Sequence, residues 1–95
     1  MITMNNNPFI GMWVTRDGYI RHELLPDGQY NEARGNRSGA YHGKYFINGT
    51  HIEYVDDTGF TADGDFENDL VLHHAGMTLY KVKQKVVSPA MYQKA

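Results

Sequence analysis

The stretch Tyr19–Gly35, YIRHELLPDGQYNEARG, decides how this chain folds. Two short runs flank Pro26-Asp27-Gly28, a tripeptide suited to a three-residue hairpin loop in which a type I turn is closed by a glycine bulge. Such a loop pairs Leu25 with Gln29, Glu23 with Asn31 and Arg21 with Ala33. A hairpin in a small domain must bury one of its faces. Here both faces carry charge, Arg21 and Glu23 on one, Glu32 and Arg34 on the other. The interior is therefore either a core that tolerates charge or a site that uses it.

Working outward, the same punctuation recurs along the chain: Asp17-Gly18, Gly35 to Gly39, Asn48-Gly49, Asp63-Gly64, Glu67-Asn68-Asp69 and Ala75-Gly76. Between these turns lie short runs rich in Tyr, Ile, Val, Leu and Thr, with no sustained helical period. The spacing predicts an all-β chain with strands at 10–16, 19–25, 29–34, 40–47, 51–56, 59–66, 70–74 and 77–84. Eight antiparallel strands joined by short loops predict a closed up-and-down barrel, because closure removes unpaired edges. The barrel domain spans 9–84, with residues 1–8 and 85–95 as flexible ends.

Turn chemistry sets register, and register sets faces. Asn48-Gly49 as a two-residue turn pairs Ile47 with Thr50, Tyr45 with Ile52, Gly43 with Tyr54 and Tyr41 with Asp56. Tyr41, Gly43, Tyr45, Ile52, Tyr54 and Asp56 then share the inner face, and Lys44 meets Glu53 in solvent. Arg16-Asp17-Gly18, taken as a second three-residue loop, sets Trp13 opposite Arg21. One face of the first hairpins then carries Trp13, Tyr19, Arg21, Glu23, Asn31 and Ala33. The other carries Met12, Val14, Ile20, His22, Leu24, Tyr30, Glu32 and Arg34. Hydrophobicity favours burying the second face, but pattern alone leaves the choice open.

Composition narrows the function classes. The chain has 95 residues and no cysteine, which excludes disulfides, thiolate metal sites and cysteine nucleophiles. A net charge of -2, with nine scattered Lys and Arg residues, argues against nucleic acid as a partner. Lys81, Lys83 and Lys85 read as solvating an edge strand. No run is long and apolar enough for a membrane helix, and MITMNNNPF lacks the features of a signal peptide, so a cytoplasmic protein is expected. The sequons at Asn36 and Asn48 fall in turns and need no glycan to explain them.

Gly11-Met12-Trp13 on a first strand resembles the Gly-x-Trp opening of calycin barrels, whose tryptophan points inward. GMWVTRDGYIRHELLPDGQYNEARG, GAYHGKY, HIEYVDDTGFTADGDF and LHHAGMTLY together resemble a small streptavidin-like domain family of uncharacterised function, over about residues 9 to 80. The resemblance implies a streptavidin-like barrel with a partly open, elongated pocket and no established ligand. The biotin-contacting pattern of avidins is not recognisable. With Trp13 inward, Arg21 and Glu23 are expected inside with it, and Glu32 and Arg34 outside. An interior Arg and Glu cost several kcal/mol each unless paired or wet, so the interior reads as a site.

Arg21 and Glu23 are then either a ligand clamp or an internal ion pair. Trp13, Tyr19, Tyr41, Tyr45 and Tyr54 offer an aromatic wall, part of it core. Asp56, Asp57, Asp63 and Asp65 lack the alternation of a calcium loop and suit turn capping, with inward Asp56 free to act as a base. His73 and His74 point to opposite strand faces and cannot share one metal; His74 falls on the inner face with Leu70, Leu72, Met77 and Leu79. It is either a hydrogen-bonded core histidine or one half of an acid–base pair with Asp56 or Glu23.

The chain is thus read as a small-molecule-binding barrel whose site comprises Trp13, Tyr19, Arg21, Glu23, Tyr41, Tyr54, Asp56 and His74, with no cofactor or metal. The alternatives are a cofactor-free isomerase or cyclase in the same pocket, and a homo-oligomeric interaction module. With Met12, Val14, Ile20 and Leu24 outside, an apolar stripe predicts a homodimer.

Overall fold

A computed structural model describes residues 7–82. Eight strands follow in order: β1 (Gly11–Thr15), β2 (Ile20–Leu24), β3 (Gln29–Arg34), β4 (Arg37–Asn48), β5 (His51–Asp56), β6 (Thr61–Asn68), β7 (Val71–His74) and β8 (Met77–Lys81). Each pairs antiparallel with the next, and β8 returns to β1 through Trp13–Lys81, Val14–Tyr80 and Thr15–Leu79. The result is the closed eight-stranded barrel that the turn spacing predicts, with no helix among the described residues. β4 starts at Arg37, because the chain reverses within Gly35-Asn36 and Ser38 to Ala40 already belong to the strand. Residues 1–6 and 83–95, which include most of the expected ends 1–8 and 85–95 together with Lys83 and Lys85, lie outside the described residues.

Three turns control the faces. The Pro26-Asp27-Gly28 loop has the expected register, with Glu23 opposite Asn31 and Arg21 opposite Ala33. Gly28 takes a φ of 88°, the left-handed conformation that closes such a bulge. The β4–β5 turn occupies Gly49-Thr50 rather than Asn48-Gly49, so Tyr45 pairs with Tyr54 and Gly43 with Asp56. That is a two-residue displacement, and the inner set is unchanged. Gly43 sits so close to β5 that a Cβ would lie 2.1 Å from the Val55 carbonyl oxygen.

The β1–β2 turn corrects the expectation for the first hairpin. Its loop has four residues, Arg16 to Tyr19, and Trp13 pairs with His22 instead of Arg21. Side chains and backbone hold the longer loop together: the Thr15 hydroxyl accepts from Ile20 N, Asp17 Oδ1 accepts from Tyr19 N, and the Thr15 carbonyl accepts from Gly18 N. A one-residue slip exchanges faces. Trp13 does point inward, fully buried, but it shares the interior with Ile20, His22, Leu24, Tyr30 and Glu32. Arg21 and Glu23 lie on the outer face. The expected apolar stripe is not formed either, since Ile20 and Leu24 are core, leaving Met12 and Val14 half-buried. The expected homodimer loses the surface that suggested it.

An eight-stranded barrel is just wide enough for its interior to fill with side chains. Leu24, Ile52, Leu72 and Leu79 are fully buried and form its aliphatic centre. At the end carrying the β2–β3, β4–β5 and β6–β7 turns, Phe9 folds under the barrel and stacks on Phe66 with ring centroids 3.8 Å apart. The Trp13 indole packs 5.1 Å from Phe66, and its Nε1 donates to the Phe9 carbonyl at 2.9 Å. This end is plugged. Lys81 fastens the plug from outside, with its Nζ donating to the Pro8 carbonyl at 2.7 Å and lying 5.9 Å from the Trp13 ring.

Candidate functional site

The opposite end, below the β3–β4, β5–β6 and β7–β8 turns, holds a cavity of about 370 Å³. Glu32, Tyr54, Asp56 and His74 line its walls, with Tyr41 and Phe60 at the rim. β3 and β5 bring in Glu32 and Tyr54 by strand alternation, and β7 brings in His74 two residues after the buried Leu72. The β7–β8 turn beside the cavity puts Ala75 at a φ of 52° and Gly76 at 77°, as a type I′ turn demands.

Beneath the cavity lies a polar layer. Glu32 is 6 % exposed and His22 only 1 %. Oε1 of Glu32 is 3.2 Å from His22 Nε2, within ion-pair distance although not aligned as a hydrogen bond. Oε2 accepts from Arg34 Nε at the surface. On the other side of the imidazole, Nδ1 is 3.0 Å from the Tyr54 hydroxyl. Burial pushes the Tyr54 phenol well up, reinforced by the Glu32 charge, so it keeps its proton. The phenol and Nδ1 of His22 share one hydrogen bond, and Nε2 of His22 faces the carboxylate. Carboxylate, imidazole and phenol form a buried chain. For Glu32, burial works to raise the pKa, but the interactions with His22 and Arg34 outweigh it and hold the group below the usual carboxylate range.

His74 completes the group, its ring 5.0 Å from His22 and 5.1 Å from Tyr54. Its Nδ1 is 2.9 Å from the Asp63 carbonyl oxygen. A carbonyl only accepts, so Nδ1 carries the proton and the Nε2 lone pair is left without a partner among the described residues. Burial, aided by His22, lowers the pKa of His74 despite the bond to Asp63, and keeps the ring neutral at physiological pH. Asp56 is 8 % exposed, and its Oδ1 accepts from Thr58 N, the Thr58 hydroxyl and Phe60 N. The Thr58 hydroxyl leads in holding its pKa down, against the opposing effect of burial, with turn amides adding to it.

Of the residues expected at the site, Tyr41, Tyr54, Asp56 and His74 come together around the cavity. Trp13 belongs to the plugged end. Tyr19 is exposed beside Gly35, on a separate, more open depression of about 630 Å³ that also takes in Thr15 and Met77. Arg21 clamps loops instead of ligand, with its guanidinium donating to the carbonyls of Gly18 and Gly35 at 2.8 and 2.9 Å. Glu23 lies on the same outer face, opposite Asn31. The site residues expected elsewhere are His22, Tyr30, Glu32 and Arg34. Their signal is in the sequence, because they alternate with Ile20 and Leu24 on the more hydrophobic face. Among the described residues no cluster of three or more His, Asp or Glu side chains is arranged to hold a metal ion.

A family model for the Agrobacterium tumefaciens protein Atu4866 matches residues 6–81. The chain belongs to that family. The solution structure of the protein Atu4866 from Agrobacterium tumefaciens is similar to this one, with 62 % sequence identity and a TM-score of 0.73 over 81 % of this chain and 98 % of that chain. No curated protein matches the chain.

Proposed function

We propose that this member of the Atu4866 family is a small-molecule-binding barrel, streptavidin-like in working from one open end, with its ligand seated among Glu32, Tyr41, Tyr54, Asp56 and His74. The polar layer under the cavity carries this conclusion. A purely structural interior gains nothing from a buried carboxylate, two imidazoles and a phenol, since aliphatic side chains of similar volume are often more stable there. Convergent polar groups in a cavity rimmed by aromatic rings are what a ligand site needs. The test is a fragment screen by 1H–15N correlation spectroscopy. Saturable shifts should concentrate on amides of Glu32, Tyr54, Asp56 and His74. Shifts confined to the depression around Thr15 and Met77, or none at all, would refute the assignment.

A second reading, a cofactor-free isomerase or cyclase, is favoured by one observation. His74 has a fixed Nδ1 proton and an uncommitted Nε2 lone pair on a cavity wall, the arrangement of a general base. Turnover with a bell-shaped pH profile that collapses in His74→Gln would favour catalysis over simple binding.

A further inference from the structure

One carboxylate in the cavity lining has no cation to face. Glu32 has Arg34 and His22, whereas Asp56 has no ion-pair partner among the described residues. All three hydrogen bonds it accepts land on Oδ1, which leaves Oδ2 uncommitted. Two aromatic rings line the same cavity at its rim, Phe60 at 75 % exposure and Tyr41 at 41 %, high for side chains of that size. We propose that the cavity takes an organic cation, an ammonium group on a small apolar body, with Asp56 as its counter-ion and the rings of Tyr41 and Phe60 as its walls. This rests on the binding function proposed above and names its ligand class.

Three features support it. An ammonium is attracted both to the face of an aromatic ring and to a carboxylate, and shielding from water strengthens both attractions. The protein already uses this geometry at the same rim, where the Arg34 guanidinium lies 4.8 Å from the Tyr41 ring centroid. The charge of Arg34 is committed to Glu32, so it does not neutralise Asp56. The local potential is also of the right sign. The Tyr30 phenol is pushed up to about 12, first by burial and then by the charges of Asp56, Glu32 and Asp57.

Three probes of one shape separate the possibilities: choline, its neutral carbon isostere 3,3-dimethylbutan-1-ol, and the anion 3,3-dimethylbutanoate. Each is titrated into the 15N-labelled protein and followed at the amides of Asp56, Phe60 and His74. Choline should bind about tenfold or more tighter than the alcohol, and the anion weakest. Asp56→Asn keeps an Oδ1 to cap the turn and should erase the preference for choline over the alcohol. Phe60→Leu, at an exposed position, should weaken choline more than the alcohol. The alcohol or the anion binding as tightly as choline, or Asp56→Asn keeping the preference, would overturn the cation assignment and leave the binding function standing. Failure of all three probes to shift these amides would overturn the cation assignment as well, and the fragment screen then decides separately whether the site binds anything.

Discussion

Phe9, Trp13 and Phe66 fill one end of this barrel with stacked rings, while His22, Glu32, Tyr54 and His74 form a polar layer under the opening at the other. Both groups hang from the same closed sheet, and Trp13 is the strand partner of His22. The difference lies in what each interaction needs. Rings packed against rings gain from burial alone, without a partner outside the group. A buried carboxylate and imidazole lose hydration and recover it only through each other or through something that enters the cavity. The plugged end therefore needs no partner outside itself, and the open end is where the proposed ligand would supply one.

The largest effect that would break this contrast is at the plugged end. Trp13→Ala removes a fully buried indole and its bond to the Phe9 carbonyl. It should cost about 3–5 kcal/mol, the range for large aromatic truncations in a core. Equilibrium urea unfolding measures it. A loss below about 1 kcal/mol would mean that the plug is not part of the cooperative fold.

A smaller effect sharpens the comparison at the open end. Glu32→Leu takes away the carboxylate that faces His22 and accepts from Arg34, and should cost about 1–3 kcal/mol, the range for losing a hydrogen bond to a charged group. His22→Leu combined with Glu32→Leu removes both partners, and stability should return towards that of the parent protein. Ligand binding should be lost in the double variant. If the double variant is as unstable as the sum of the two singles, the layer is scaffold, and both ends of the barrel do the same job.

What could be read from the sequence follows from this division. Turn residues number the strands, and eight strands on short loops must close or expose an edge, so the barrel was legible from Gly, Asp and Asn alone. The faces depended on parity. Displacing the β4–β5 turn by one position changed the strand pairing by two and left Tyr45, Tyr54 and Asp56 inside. One extra residue in the β1–β2 loop changed it by one, which put His22 and Glu32 inside in place of Arg21 and Glu23. The length of that loop is set by the hydroxyl of Thr15 and the carboxylate of Asp17, and Asp17-Gly18 reads equally well as the end of a shorter loop. Depth was less visible still. Nothing in the alternation of β1 says that Trp13 belongs to the plug while its strand partner belongs to the polar layer under the cavity.

The smallest effects oppose two histidines. His74, at the open end, is held below its ordinary value by burial, with His22 adding to it against the bond from Asp63, so the unfolded chain takes up its proton first as pH falls. Stability should be flat above about pH 6.5 and decline below it, because the unfolded state binds more protons there. His51, on the outer surface beside the β4–β5 turn of the plugged end, has the opposite sign. Its hydrogen bond to Asp65 and the nearby charges of Asp63 and Glu53 raise its pKa, so its contribution is fully present below about pH 6.5 and is lost as pH rises through the higher folded value. The two can be separated by unfolding midpoints measured across this range. His74→Gln should flatten the acid side of the profile, and added salt should leave that step in place because the group is shielded from solvent. His51→Gln should remove only a shallow alkaline decline, and salt alone should do the same to the parent protein, because exposed pairs are screened. A salt-insensitive alkaline decline, or an acid step that persists in His74→Gln, would show that the titrations belong to other groups and would break the opposition between the two ends.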